Sequence, residues 1–369
     1  MRVIFAGGGT GGHLYPGLAI ARALVHQRPD VEPFFVGAVR GIERHVLPKS
    51  EFAFQLLDLQ PLHRRSPWKN WRTLVSAVTV WRKIGRLVKA RPPVLVVGTG
   101  GYASGLMLEY ARRRRIPMAQ QVGDSVPGLT ARRYARDCAE IYLTFPEAAR
   151  FLRAQTPSVF IDTGAPIDPP TSPQRSRPAA RATWGFPAAG GHVVLCYGGS
   201  QGSIAINRAV AAWLSMGLPD DVYVIWMTGK ATYGEFASFD ADRVRVREYL
   251  SPIADAYAAA DLAVARAGSM TTSELLAWKI PAILVPLPTA AAQHQTTNAV
   301  TLERAGAAIH LPQVQLTGPK LHEVIGGLLA DPGQLARIGE AAARRARPHA
   351  AEDIAQHIIA LIDRQPPKP

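Results

Sequence analysis

Short apolar runs that end in glycine alternate along the chain with stretches whose apolar residues recur every three or four positions. RVIFAG (2–7) is the first such run, and LAIARALVHQ (18–27) behind it has helical spacing. PFFVGA (33–38), VLVVGTGG (94–101), IPMAQQ (116–121) and IYLTF (141–145) read as further strands. From 166 to 191 the composition changes to PIDPPTSPQRSRPAARATWGFPAAGG, rich in Pro, Ala and Arg, which reads as a linker. The pattern then restarts. Strands are expected at 192–199, 222–229, 244–250, 262–268 and 282–287, helices at 206–215, 253–260 and 271–279, and helix throughout 320–364. Such alternation predicts an α/β protein with parallel sheets covered by helices on both faces. Two Rossmann-like domains are expected, 1–165 and 192–345, joined by 166–191. Residues 346–369 form a final helix expected to pack back on the first domain. Ligands of such sheets bind beyond the carboxyl ends of the strands, so a cleft shared by the halves is expected.

Composition narrows the class. Of the 369 residues, 47% are hydrophobic and 19% charged, enough apolar surface for packed cores and against global disorder. No apolar run approaches the ~18 residues that span a bilayer. Glycine at position 7 comes too early for a signal peptide, and Cys138 and Cys196 have no paired spacing for a disulfide framework or zinc site. A cytoplasmic protein is the expectation.

Charge changes the picture most. Lys and Arg number 42 against 28 Asp and Glu, a net charge of +14. Up to Ala165 there are 24 basic and 11 acidic residues; beyond it there are 18 and 17. An asymmetry of this kind points to a polyanion or an anionic surface on one side. No acidic residue lies between Asp58 and Glu109, and within that gap Trp68, Trp71 and Trp81 stand among the seven Lys and Arg of residues 66–93. Apolar residues at 71, 74, 75, 78, 81, 84 and 88 have helical spacing. Such a helix can turn its stripe into its own core, or rest on a membrane with tryptophans at headgroup level and cations toward anionic lipid. The two can hold together. No nucleic-acid motif accompanies the basic residues, so no nucleic-acid partner is expected.

Two glycine loops follow the first strand of each half: GGGTGGH (7–13) and GGSQGS (198–203). Glycines let backbone amides approach an anion, and the following helix offers its positive end. Gly7, Gly9 and Gly12 fit G-x-G-x-x-G, yet no acid stands after the second strand until Glu43, which argues against a dinucleotide. A Walker A loop is absent, since Gly229-Lys230 is followed by Ala231. Asp240-Ala241-Asp242 reads as a solvated loop rather than a metal-binding pair, and no other cluster has metal spacing.

AGGGTGGHLYPGLAIA (6–21), GTGGYASG (98–105), PGLT (127–130), GGSQGSIAIN (198–207), RAGSMTTSELLAWKIPAILVP (266–286) and AAAQHQTTNAVTLERAGAA (290–308) together resemble the MurG family. These peptidoglycan glycosyltransferases add N-acetylglucosamine to lipid I to make lipid II. The resemblance implies the GT-B arrangement, UDP-N-acetylglucosamine as donor, inversion at the anomeric carbon and no cofactor or metal. It also implies an undecaprenyl diphosphate-linked acceptor and peripheral attachment to the anionic cytoplasmic face of the cell membrane.

Carried over, Glu274 would accept from both ribose hydroxyls, and Tyr249 and Leu250 would lie at the uracil. Arg266, Gly268, Ser269, Met270 and Thr271 would face the diphosphate at a helix start. Ser200, Gln201, Gly202 and Asn207 would touch the donor, and Gln295 and Asn298 its sugar. In the first domain, Thr10, Gly11, Gly12 and His13 would face the acceptor diphosphate and the transferred sugar. Gly100, Gly101, Tyr102 and Ser104 would lie on the acceptor side, and Trp68, Trp71 and Trp81 at the membrane. His13 can act as base or as hydrogen-bond donor.

Three places depart from the family. His-Glu-Gln-Asn is replaced by Gln121-Val122-Gly123-Asp124, the Asn after PGLT is Ala131, and Gly-Asn-Pro-Val-Arg is replaced by Gly164-Ala165-Pro166-Ile167-Asp168. Asp124 puts a carboxylate where the family carries an amide and is expected to be the base or its partner. A related transferase with another lipid or glycan acceptor, or a sugar-nucleotide epimerase, are the alternatives.

Overall fold

The computed structural model describes residues 1–59, 71–153, 156, 159–170 and 176–364. They divide into two compact units, Met1–Ile167 with His349–Pro369, and Asp168–Pro348.

The first unit is built on seven parallel strands: β1 (Arg2–Gly7), β2 (Glu32–Ala38), β3 (Ala53–Leu57), β4 (Leu95–Gly100), β5 (Met118–Val122), β6 (Glu140–Leu143) and β7 (Phe160–Asp162). Their order across the sheet is β3-β2-β1-β4-β5-β6-β7. Helices α1 (Gly11–Gln27), α2 (Glu43–Val46), α3 (Trp71–Ala90), α4 (Gly105–Arg113) and α5 (Leu129–Tyr134) connect them. The second unit has six strands: β8 (His192–Tyr197), β9 (Val222–Met227), β10 (Val244–Arg247), β11 (Leu262–Ala265), β12 (Ala282–Leu284) and β13 (Ile309–His310), in the order β10-β9-β8-β11-β12-β13. Its helices are α6 (Arg177–Thr183), α7 (Ile204–Ser215), α8 (Tyr233–Phe236), α9 (Ala254–Ala259), α10 (Ser269–Ala277), α11 (His294–Arg304), α12 (Gly318–Leu329) and α13 (Pro332–Arg345). The last helix, α14 (Ala350–Asp363), belongs to the first unit.

Both sheets are doubly wound. The chain starts each at a central strand, winds one way, then returns to the other side, so a crevice opens beyond β1 and β4 and another beyond β8 and β11. Central strands read as continuous apolar runs because both faces are covered: Val3, Ile4, Phe5 and Ala6 of β1 are buried, as are Val193 to Tyr197 of β8. On one face of the first sheet, Val3 and Phe5 meet Leu14, Leu18 and Ala21 of α1 together with Ile354, Ala355 and Ile358 of α14.

Four differences from the sequence pattern have physical causes. Helix α1 begins at Gly11 rather than 18; its first turns are glycine-rich, and packing of Leu14, Pro16 and Gly17 rather than propensity holds them. Strands β3, β7 and β13 lie at or next to sheet edges, are short or partly polar, and carry little apolar signal. The continuous helix expected over 320–364 breaks at Asp331-Pro332 and at Arg347-Pro348, because proline cannot donate to a preceding turn. The reading of 166–191 as a linker needs correction too. Within it Ser176 caps α6, and Arg181, 5% exposed, bonds Asp261 Oδ2 at 2.6 Å and the carbonyls of Gly190 and Gly191. The stretch from Ser176 onward is therefore a packed part of the second unit.

Candidate active site

The loop after β1 is held by side chains that only glycine leaves room for. Gly8 and Gly9 have φ of 145° and 91°. A Cβ on Gly8 would lie 1.9 Å from Glu43 Oε1, and one on Gly9 2.9 Å from the Tyr102 ring. Beyond them Thr10 is exposed at the start of α1 and makes no side-chain cap bond. The first turn, with half-buried Gly11 and exposed Gly12, contains no acidic residue, leaving the helix's positive end to an outside anion. His13, half-buried, rests against the end of β4: a Cβ on Gly100 would come within 2.6 Å of its Nδ1. Gly100 and Gly101 both have positive φ there.

Asp124 is half-buried two residues past β5. Strand β4 lies between β1 and β5, so the strand ends carrying His13 and Asp124 are two spacings, about 10 Å, apart along one sheet edge. Tyr102 is half-buried; burial raises its pKa, the Glu43 charge adds to this and Arg40 opposes it. Ser104 corrects the expectation of an acceptor contact, because it is fully buried and its hydroxyl donates to Gly101 O at 2.9 Å. It shapes the loop from beneath. Glu43 was visible in the sequence only as a late acid after β2. In the fold it is fully buried under the glycine loop, where Oε1 accepts from Ala38 N at 3.1 Å and Oε2 has no described partner.

The second loop repeats the plan with different chemistry. Gly202 (φ 75°) would drive a Cβ to 2.1 Å from Thr228 O, while Ser200 and Gln201 are exposed at the turn. Ser203 caps α7 and also accepts from Arg266 Nη2 at 2.7 Å. Arg266 follows β11, is 8% exposed, and donates through Nη1 to the carbonyls of Val285 (3.1 Å) and Pro286 (3.0 Å). No described carboxylate pairs with it. Burial lowers the guanidinium's pKa, as expected for a charge with neutral neighbours only. Next to it Gly268 precedes α10 at its N-cap, with Ser269 buried, Met270 and Thr271 half-buried, and no acid in the first turn.

One turn on, Glu274 Oε2 accepts from the Tyr257 hydroxyl at 2.9 Å, and that hydroxyl lies 3.1 Å from Tyr197 Oη. Burial pushes the Glu274 carboxyl up to about 7; the Tyr257 bond pulls the other way, and the charge of Asp168 adds to the rise. Tyr249 is 60% exposed and Leu250 buried; the Leu250 amide donates to Met227 Sδ at 3.3 Å, a weak acceptor that a better one can replace. Gln295 Oε1 accepts from Leu287 N at 3.0 Å, and its Nε2 has no described partner.

Asn207 and Asn298 depart from their expected donor contacts. Asn207 is fully buried, donates to Thr228 O and Thr232 Oγ1, and accepts from Trp226 Nε1 at 3.0 Å. Both its protons and its oxygen are engaged, so it ties α7 to β9. Asn298 is fully buried and donates to Ala267 O at 3.1 Å, steadying the approach to α10.

On the first unit, Trp68 lies outside the described residues and Trp71 opens α3. Trp81 is half-buried, 4.9 Å from the Tyr110 ring, with the Arg113 guanidinium 5.3 Å from its centroid. Among the described side chains of α3, Val80 and Ile84 are buried, and Val78 is 56% exposed. No helix among the described residues is long and apolar enough to cross a membrane. Nor do three or more described His, Cys, Asp or Glu gather as a metal site would require.

Residues 3–143 match the glycosyltransferase family 28 N-terminal domain and 193–358 its C-terminal domain. A UDP-N-acetylglucosamine–N-acetylmuramyl-(pentapeptide) pyrophosphoryl-undecaprenol N-acetylglucosamine transferase of Salinibacter ruber is 41% identical over 98% of this chain and 97% of its own. The transferase of the same description from Moorella thermoacetica is 36% identical over 98% of this chain and 100% of its own. Among solved structures, MurG of Acinetobacter baumannii superposes with a TM-score of 0.77 at 25% identity, covering 99% of both chains. Two doubly wound parallel units with these domain matches make the fold GT-B. With relatives this similar along nearly its whole length, the chain belongs to the MurG family of glycosyltransferase family 28.

Proposed function

We propose that the enzyme transfers N-acetylglucosamine from UDP-N-acetylglucosamine to the 4-hydroxyl of the N-acetylmuramyl-pentapeptide carried on undecaprenyl diphosphate, with inversion, giving lipid II. One observation carries the donor half: the buried, uncompensated guanidinium of Arg266 beside the starts of α7 and α10. A cation held by neutral groups costs stability unless an anion uses it, and a nucleoside diphosphate suits it. Glu274 supplies the acceptor for a ribose diol, and Tyr249 an exposed ring face for the base.

In the reaction the acceptor oxygen forms a bond to the anomeric carbon as the bond to the β-phosphate oxygen breaks. UDP leaves with the electron pair. Arg266 and the two helix starts stabilise the charge that develops on it. The acceptor proton passes to a base, for which the candidates are His13, in the first turn of α1, and Asp124, past the end of β5. The first unit, with its basic α3, rests on an anionic membrane surface at the cytoplasmic face, where the lipid-linked acceptor is presented.

The test is transfer of labelled sugar from UDP-N-acetylglucosamine to the authentic lipid-linked acceptor, with and without a metal chelator. Product in both arms is expected, and Asp124→Asn should lower turnover at least about tenfold if Asp124 takes the proton. Undiminished turnover would leave His13 as the base. The departures at Asp124, Ala131 and Asp168 favour one second reading, a transferase with a different acceptor. Product on another lipid or glycan but none on the muramyl-pentapeptide acceptor would select it.

A further inference from the structure

The second unit contains a hydroxyl relay that donor binding alone does not require. Tyr257 has a single hydroxyl proton, and at 2.9 Å it is donated to Glu274 Oε2. The Tyr197 hydroxyl, 3.1 Å away, must therefore donate to the Tyr257 oxygen. Both phenols are buried and burial raises their pKa values well above the ordinary one, so both remain donors at any working pH. The Trp278 ring, 5.8 Å from that of Tyr257, closes the apolar side. Glu274 Oε1 has no described partner.

We propose that Tyr257 is a positioning residue for Glu274, holding Oε2 so that Oε1 faces a vicinal diol, and so sets the pH above which the site takes a ribonucleotide. The inference rests on the donor-site reading above. The relay stands on geometry from two elements, β8 and α9, converging on a third, α10. The titratable groups that act on Glu274 are Tyr257, Tyr197 behind it, and Asp168, exposed at the start of the unit.

The two handles act with opposite sign. A hydrogen bond donated to the carboxylate favours the charged form, so losing it moves the titration to higher pH. A neighbouring negative charge disfavours that form, so neutralising Asp168 moves the titration to lower pH. A diol donates both its protons and binds the carboxylate best.

The experiment is calorimetric titration of the full chain from pH 5.5 to 8.5 with UDP and with 2′,3′-dideoxyuridine diphosphate. The dissociation constant of the dideoxy compound divided by that of UDP cancels the titration of the phosphates and reports the diol. In the wild type this ratio should rise through a midpoint near 7. Tyr257→Phe should weaken UDP by about tenfold at pH 7, leave the dideoxy compound unchanged and move the midpoint up. Tyr197→Phe, with Tyr257 in place, should move it up less, and Asp168→Asn should move it down. Equal weakening of both nucleotides by Tyr257→Phe, or a midpoint that none of the variants moves, overturns the proposal. Should Tyr257→Phe fail to fold, Tyr197→Phe still decides it by the direction of its shift. A wild-type chain that binds neither nucleotide removes the donor-site reading itself, a different result from a pH-insensitive binder.

Discussion

A fully buried amide and a nearly buried guanidinium divide the labour around the second glycine loop, and substitution should separate them. Asn207→Ala strands the Trp226 N–H and two hydroxyl or carbonyl partners, so it should cost about 3 kcal/mol in denaturant unfolding. UDP affinity of the molecules that remain folded should be nearly unchanged. Arg266→Gln removes the charge itself and should weaken UDP roughly a hundredfold by calorimetry, with a smaller loss of stability. Glu274 adds a pH term. Below pH 4.5 its carboxyl is neutral in folded and unfolded chains alike; above that the unfolded chain loses the proton, while the folded one keeps it to about 7. Stability from the neutral, enclosed carboxyl is thus complete below pH 4.5 and lost as pH rises through about 7, by at most about 3 kcal/mol. Glu274→Gln, which cannot ionise, should gain melting temperature over the wild type between pH 5 and about 7 and hold that gain to pH 8. At this scale the sequence spoke unevenly. Arg266 and Glu274 stand in a long motif at a strand end and a helix start, whereas nothing in the letters separates Asn207, turned inward, from Gln295, whose Nε2 keeps no described partner. Facing direction on a helix start depends on tertiary packing.

Elements inherit these constraints. Each glycine loop is tight because something behind it is fixed: Glu43 and Tyr102 behind the first, the Thr228 carbonyl behind the second. Gly202→Ala combines a left-handed φ with a backbone clash. It should lower stability by more than about 2 kcal/mol and abolish donor binding, read by chemical unfolding and calorimetry. Helix α14 carries a comparable load by apolar contact. Ile358 is fully buried against the first sheet, and Ile358→Ala should cost about 3 kcal/mol in unfolding. The central strands and their loops were legible in the sequence because burial on both faces leaves continuous apolar runs. Edge strands β3 and β13 were not, since an edge needs only one partner and tolerates polar side chains. Helix α6 was hidden by the proline-rich stretch before it and by its own short length, though Ser176 before Arg177-Pro178 is a capping signal that could have revealed it.

At the scale of the molecule, charge and connectivity follow the same partition. The first unit holds 26 basic and 14 acidic residues, the second 16 and 14. On α3, Arg82, Lys83 and Arg86 are exposed while Trp81 turns toward Tyr110, so attraction to anionic lipid should rest on the cations. Reversing these three to Glu should weaken co-sedimentation with phosphatidylglycerol vesicles at least tenfold at low salt, and leave UDP affinity unchanged. Wild-type binding that survives 0.5 M salt would point to apolar insertion instead. The same partition makes the second unit an insertion within the first, because the core around Val3 and Phe5 is completed by Ile354, Ala355 and Ile358. A chain emerging from the ribosome therefore presents its opening lobe with one face bare until the final helix is made, while the inserted lobe is already whole. A released chain truncated after Pro348 should hold a protease-resistant second lobe beside a digestible first.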